Sequence, residues 1–388
     1  MDKLKIYLSS GSVPIIPQML DFSACAEDPH IAKIICWYRN ELTPLQLKGT
    51  NACYIRQKYK VSPDFVLNII NIINKFKPYM VEIHSNIVFT NVELYPIIAV
   101  ITKYIKREKI KIHLYDDGIR SINDRYQLDG ENEDDFVKAS EICTDYLDTL
   151  LNNDENPFSS HLHHSWPLLM NYVWHNHFDT TYHLMGQYKN KLNTSSSFQK
   201  YIQQSIQELN SVDLKSTSLK NINTCLSLLN LKNQDLAEIK EAMGQDNSLL
   251  YMGAGFYDKA KDDRVTERQV NKIKSMKDNG IITNNDKIIF KAHPINHHEN
   301  RKKIVDAFGC EVYTIPNHIP FEILPCLGLE PEEIICSFST LLFTMKPDIF
   351  RHVIGNADTT TESLTDPLLN LLIKENVIKQ EIISGWLN

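Results

Sequence analysis

The sequence predicts an α/β protein of two doubly wound, Rossmann-like domains, and three observations carry that expectation. With 388 residues, the chain is longer than one hydrophobic core usually organises, so two domains are expected. Two regions alternate short apolar strand-like runs with amphipathic helix-like runs, the pattern of parallel sheets covered on both faces. Between them lies a different stretch, residues 134–245, rich in Asn, Ser, Gln and Leu. It reads as helices joined by polar loops.

In the first region the strand candidates are Lys5–Leu8, Ile31–Trp37, Met80–His84 and Ile110–Tyr115, with helix-like stretches at Ile16–Ala24, Pro63–Phe76 and Asn91–Lys106. The second region offers strands at Leu249–Gly253, Lys287–Ala292, Glu311–Ile315 and Glu333–Ser337. Its helix-like stretches are Thr266–Lys277, His298–Phe308 and Phe321–Leu327, and the tail Asp366–Asn388 also reads as helical. Such sheets bind ligands beyond the carboxyl ends of their strands, so the two domains are expected to face a central cleft. The expected division is 1–175 plus 366–388 for the N-terminal domain and 176–365 for the C-terminal one.

Composition narrows the function. A hydrophobic content of 43% and a charged content of 23% are ordinary for a globular protein. No run reaches the eighteen or so uninterrupted apolar residues of a membrane span, and the opening Met1–Leu8 lacks a secretory h-region. A cytoplasmic location is expected, with contact at a membrane surface left open. The net charge of −7 argues against a nucleic-acid partner. The eight cysteines, Cys25, Cys36, Cys53, Cys143, Cys225, Cys310, Cys326 and Cys336, show no C-x-x-C spacing and read as buried, reduced thiols.

Three strand ends carry residue types suited to chemistry. Asp116-Asp117-Gly118 follows Leu114-Tyr115; a carboxylate there can take a proton from a hydroxyl, though Asp-Asp-Gly is also an ordinary turn. In Lys291-Ala292-His293-Pro294 the Lys and His share one strand face, so both can meet one phosphate, with His293 as hydrogen-bond or proton donor. The alternative is a polar strand end that Pro294 terminates. In Ser337-Phe338-Ser339-Thr340 a strand gives way to a helix, either as a phosphate seat or as plain N-capping by Ser339. Gly253 and Gly255, after another strand, permit close backbone approach to a ligand. The acidic pair Asp262-Asp263 reads as a solvated helix start. His161, His163, His164, His175, His177 and His183 lack the carboxylate or Cys spacing of a metal site and read as structural or solvated. His297 and His298 stay open as cleft residues. No P-loop, nucleophile elbow or dinucleotide fingerprint is present.

Asp116-Asp117-Gly118, His293-Pro294 and Ser339-Thr340, in this order and spacing, resemble the signatures of bacterial sialyltransferases of glycosyltransferase family 80. The likeness extends to Ile6–Pro14, Ile83–Ile87, Tyr172–Trp174 and Ile315–Glu322, nearly the whole chain, and is weakest between about 120 and 245. The resemblance implies a GT-B fold and an inverting transfer of sialic acid from CMP-sialic acid to a galactoside hydroxyl of a cell-surface glycan. It also implies the roles. Asp117 would be the general base, and His293, assisted by Lys291, would serve the phosphate. Ser339 and Thr340 would hold that phosphate, with Ser12, Pro294 and Gly253 also on the donor side. Glu322 would accept from the ribose hydroxyls, and Asn86 and Tyr257 would meet the acceptor. No metal or other cofactor is expected, since protein donors can stabilise a leaving group with a single phosphate. Thr340, Tyr257, Ile295 and Phe89 stand where better-known members carry Ser, Trp, Arg and His. A transferase of another CMP-activated ulosonic acid, or a binding module without turnover, are the alternatives.

Overall fold

The computed structural model describes residues 2–9, 11, 13–38, 40–56, 61–153, 166–185, 196–209, 218–355, 367–374 and 378–385. Its strands are β1 (Lys3–Ser9), β2 (Ile31–Trp37), β3 (Ala52–Tyr54), β4 (Met80–Asn86), β5 (Ile110–Tyr115), β6 (Asp179–Met185) and β7 (Ile206–Leu209), then β8 (Ser248–Met252), β9 (Lys287–Lys291), β10 (Val312–Thr314), β11 (Glu333–Ser337), β12 (Phe350–Ile354) and β13 (Ile383–Ser384). The first seven form one sheet in the order β3-β2-β1-β4-β5-β6-β7, and the rest form another in the order β10-β9-β8-β11-β12-β13. Every pairing is parallel. Each order reverses after its first strand, at β1/β4 and at β8/β11, and such a switch point opens a crevice at the carboxyl ends.

The described residues fall into two compact units, those up to Leu228 and those from Leu229 onward. This corrects the expected domain limits. β6 and β7 continue the first sheet well past residue 175, and β13 pairs with β12 in the second sheet, so the end of the chain belongs with the second unit. The helical tail is shorter than expected, running Pro367–Lys374 before the chain turns into β13. No described helix is long and apolar enough to cross a membrane.

Local sequence explains the elements that hold the site. Helix Pro63–Phe76 starts where Ser62 Oγ accepts from Phe65 N and Pro63 takes the first helical position. Its buried Phe65, Val66, Ile69, Ile70 and Ile73 lie on one stripe, against the sheet face that carries Ile6, Leu8, Ile83, Ile112 and Leu114. The long helix expected at Asn91–Lys106 is instead a π-turn, Thr90–Leu94, followed by Tyr95–Ile101. Pro96 has no N–H to donate back along the chain, so the helical register resets there. Pro325 and the left-handed Gly328 (φ 74°) likewise confine the helix expected at Phe321–Leu327 to Ile323–Cys326.

The opposite face of the first sheet is polar. Lys5, Tyr7, Glu82, His84, His113, Tyr115 and His183 alternate with the apolar set and so share that face. Their rings stack in sequence, with centroids 4.7 Å apart for Tyr7–His84, 4.6 Å for His84–His113, 5.1 Å for His113–His183 and 4.3 Å for His183–Tyr115. All eight cysteines are free thiols; Cys36, Cys143, Cys225 and Cys336 are buried as expected, whereas Cys53 and Cys310 are exposed.

Candidate active site

In the first unit the candidate residues gather at the carboxyl ends of β1, β4 and β5. Asp116 is fully buried: its carboxylate accepts from Ser121 Oγ at 2.7 Å and Met185 N at 2.8 Å, and it ion-pairs with the buried guanidinium of Arg125. Ser121 Oγ is in turn 3.0 Å from Asp117 N and from the Gly118 carbonyl. Gly118 has φ 86°, a conformation that glycine adopts freely and β-carbon residues resist. The turn therefore seats Asp116 inward and leaves Asp117 half-buried. An ideal Cβ on Gly11 would fall 2.0 Å from Asp117 Oδ1 and 3.2 Å from Asn86 Nδ2. Gly11, Asn86 and Asp117 thus converge. The Asn86 side-chain oxygen accepts from Val88 N at 3.0 Å, while its buried Nδ2 has no partner among the described residues. Ser12 lies outside the described residues.

Below these residues, Glu82, His84 and His113 bring one carboxylate oxygen and two ring nitrogens within 4.8 Å of one another. Lys3 and Lys5 Nζ already lie 2.9 and 3.1 Å from that carboxylate. Asp21 lies 2.7 Å from Lys5 Nζ. Burial opposes ionisation of Glu82, but hydrogen bonds from His113 and His84 hold it far below the usual carboxylate range. Burial also pushes His84 down to about 4 and His183 to about 3. Two carboxylates, two ammonium groups and the neutral imidazole of His84 make a charge-balanced network, and a dication would face both lysines at close range. Among the other histidines, His175 bonds the Tyr172 carbonyl and His177 the Thr144 carbonyl, both structural roles. His161, His163 and His164 lie outside the described residues.

The second unit gathers its candidates around β8, β9 and β11. His293 Nδ1 accepts from Ile295 N at 3.4 Å, which assigns the ring proton to Nε2. His293 is half-buried, but Lys291 is not at the surface. It is buried, with Nζ 3.3 Å from the Ala292 carbonyl and 3.4 Å from the Asn317 carbonyl. Burial lowers its pKa to about 8, against a rise from the nearby Glu322 carboxylate. Asn317 Nδ2 also donates to the Pro294 carbonyl at 3.0 Å, so the stretches around 294 and 317 are tied together. Gly253 is packed against Phe290, whose ring would lie 3.0 Å from a Cβ there; space for that ring, more than ligand approach, accounts for the glycine. Tyr257 is exposed.

The expected helix start after β11 is one turn, Leu341–Thr344, with Thr340 at the N-cap and no side-chain cap. Ser339 therefore does not cap it; its hydroxyl is buried. The Asp262-Asp263 pair is also not a solvated helix start. Asp262 is fully buried and accepts four hydrogen bonds, whereas Asp263 pairs with Lys259 and Asn300.

Two Rossmann-like parallel sheets, with polar residues collected at the carboxyl ends beside each switch point, give this chain the GT-B fold. It belongs to the sialyltransferase family described as Sialyltransferase PMO188, whose model matches residues 4–380. Among solved structures it is similar to a 2,6-sialyltransferase of Photobacterium sp. JT-ISH-224, determined with the donor product CMP and the acceptor lactose. Identity is 21% and the TM-score 0.82, over 99% of this chain and 78% of that one. It is similar too to the α/β-galactoside α-2,3-sialyltransferase of Photobacterium phosphoreum, at 18% identity and a TM-score of 0.79, covering 99% of both chains. The GT-B domain of a Photobacterium damselae sialyltransferase matches at 19% identity and a TM-score of 0.81, again over 99% of both. No curated protein matches the sequence.

Proposed function

We propose that the chain transfers sialic acid from CMP-N-acetylneuraminic acid to a galactoside hydroxyl, in a single displacement that inverts the anomeric carbon and needs no metal ion. The observation that carries this reading is the seating of Asp117: its backbone N–H is held by Ser121 Oγ, and its half-buried carboxylate is crowded against Gly11, beside the Nδ2 of Asn86, which has no partner among the described residues. An acceptor hydroxyl held by Asn86 would present its proton to Asp117 as it attacks. On the donor side, His293 Nε2–H is the group to stabilise or protonate the phosphate as the bond to CMP breaks. The hydroxyls of Ser339 and Thr340 would hold the same phosphate, with Lys291 as a cation beneath it. Glu322 would accept from the ribose, and the exposed ring of Tyr257 would pack on the acceptor sugar. These donors supply the charge stabilisation that a divalent ion supplies elsewhere. A CMP- and lactose-bound relative supports the donor and acceptor classes; the galactose end of a cell-surface glycan is the acceptor this reading calls for.

The test is CMP release from CMP-N-acetylneuraminic acid with lactose and EDTA, for the wild type and Asp117→Asn. Acceptor-dependent release, lost in the variant while calorimetric CMP affinity stays, supports the assignment; an α-linked product by NMR settles inversion. Failure to bind CMP at all would sink it, and turnover only with another CMP-activated acid would reassign the donor.

Lys291 gives this reading a pH signature. With its pKa near 8, the free protein loses this positive charge as pH rises through 8, and CMP affinity should weaken with it. A phosphate beside the amine favours the charged form, so binding at pH 9 should take up protons. Calorimetry in two buffers of different ionisation enthalpy measures that uptake, and Lys291→Met should abolish it. The folded pKa lies below the unfolded value of about 10.4, so the same group makes stability rise with pH between about 8 and 10.

A further inference from the structure

We propose that Asp262 is a positioning residue for the transfer reaction, a single buried carboxylate that locks the loop carrying Tyr257 to the loop carrying His293. The inference rests on the function proposed above.

Asp262 Oδ1 accepts from Phe256 N and from Asn296 Nδ2, each at 2.9 Å. Its Oδ2 accepts from His297 N at 3.0 Å and Asn300 Nδ2 at 2.7 Å. The first donor belongs to the segment after β8 that runs from Gly253 to Tyr257. The next two belong to the segment after β9, where Asn296 N in turn bonds the His293 carbonyl at 3.0 Å. The fourth lies in the following helix, His298–Phe308. Asp262 sits in the first turn of helix Lys259–Asp278, but capping that helix is not its task. Asp258 does so, accepting from Lys261 N at 2.8 Å. All four of the Asp262 partners come from outside its own helix.

The two loops also touch directly. A Cβ on Gly255 would fall 2.8 Å from Asn296 Cβ and 2.9 Å from its Cα, so the backbones meet only because residue 255 is glycine. Arg301 Nε secures the same loop through the Asn296 carbonyl at 2.9 Å. Burial raises the Asp262 pKa, but the backbone donors His297 and Phe256 and both asparagines outweigh it and lower the value, so the hub stays ionised at neutral pH. One carboxylate thereby fixes where the proposed leaving-group donor stands relative to the proposed sugar-stacking ring.

Asp262→Asn is close to isosteric and discriminating. Each oxygen serves one backbone N–H and one asparagine amide; the asparagines can flip to accept, but whichever way the new amide lies, its NH2 faces a backbone N–H, of Phe256 or of His297, that cannot turn away. The comparison variant is Arg351→Met, in the same unit, which breaks a network of Arg351 with Glu333 and Asp286 away from these loops. In the sialyl-transfer assay Asp262→Asn should lower kcat about 10- to 100-fold, the cost of displacing a catalytic group by about 1 Å, and should raise the lactose KM. Arg351→Met should lower the thermal midpoint while kcat stays at the wild-type level. Wild-type kcat in Asp262→Asn, or a kcat loss that follows the thermal midpoint equally in both variants, would overturn the proposal. If the wild type itself transfers nothing, the functional reading has failed separately. The hub is then judged by amide exchange at Phe256 and His297: acceleration in Asp262→Asn upholds the lock, and unchanged rates refute it.

Discussion

Asp116→Ala should destabilise the protein by about 3–5 kcal/mol and leave little of its activity. Asp116 and Arg125 are both fully buried, and removing one partner of such a pair strands the other charge away from water. The substitution also takes an acceptor from Met185 N and from Ser121 Oγ. Ser121 then keeps only the Gly118 carbonyl as acceptor, which loosens its rotamer and the bond that holds the Asp117 amide. Stability and catalysis should therefore fall together, through separate atoms. A double variant separates them. Asp116→Ala with Arg125→Met removes both charges, and replacing a buried pair by apolar groups is often close to neutral. Urea unfolding should show much of the lost stability restored in the double variant, while kcat stays low because Ser121 still lacks its Asp116 partner. Restored kcat would mean that the pair serves folding alone.

What could be foreseen in the sequence follows from which forces are local. β2, β5 and β11 are short apolar runs, and their limits were expected at Ile31–Trp37, Ile110–Tyr115 and Glu333–Ser337, as found. The ends of helices Pro63–Phe76 and His298–Phe308 were equally legible. β6 was not, because Asp179-Thr180-Thr181-Tyr182-His183-Leu184-Met185 carries His183 and Thr181 toward the polar sheet face and lies within a polar stretch. A strand with one polar face reads as surface unless the polarity of that face is already known. The same limit applies at the site. Asp117 and His293 could be picked out because strand ends are where such sheets bind ligands. Arg125, Ser121 and Asp262 could not, since a buried charge is a tertiary fact and its sequence looks like that of a solvated helix. The one available hint was glycine: Gly11 and Gly255 each mark a place where another group comes too close for a side chain.

Gly11→Ala should cost about 100-fold in kcat with little loss of stability. The requirement argued at this position is space. A methyl group would overlap Asp117 Oδ1 at 2.0 Å and would press on Pro14 Cδ at 3.1 Å and Asn86 Nδ2 at 3.2 Å. Carbon and oxygen need upward of about 3 Å, so the carboxylate must move by about 1 Å, which it can do by rotating. The backbone of Asp117 stays where Ser121 holds it, and no buried charge is created, so the fold has little to lose. Catalysis has more at stake, since a displacement of that size at the proposed general base costs about 100-fold. Steady-state rates with saturating donor and acceptor, set beside thermal unfolding and calorimetric CMP affinity, distinguish the cases. A low kcat with wild-type midpoint and CMP affinity places the base where Gly11 leaves room for it. A wild-type kcat would mean that the carboxylate works from another rotamer, and the proton acceptor would have to be sought away from the Gly11–Asn86 corner.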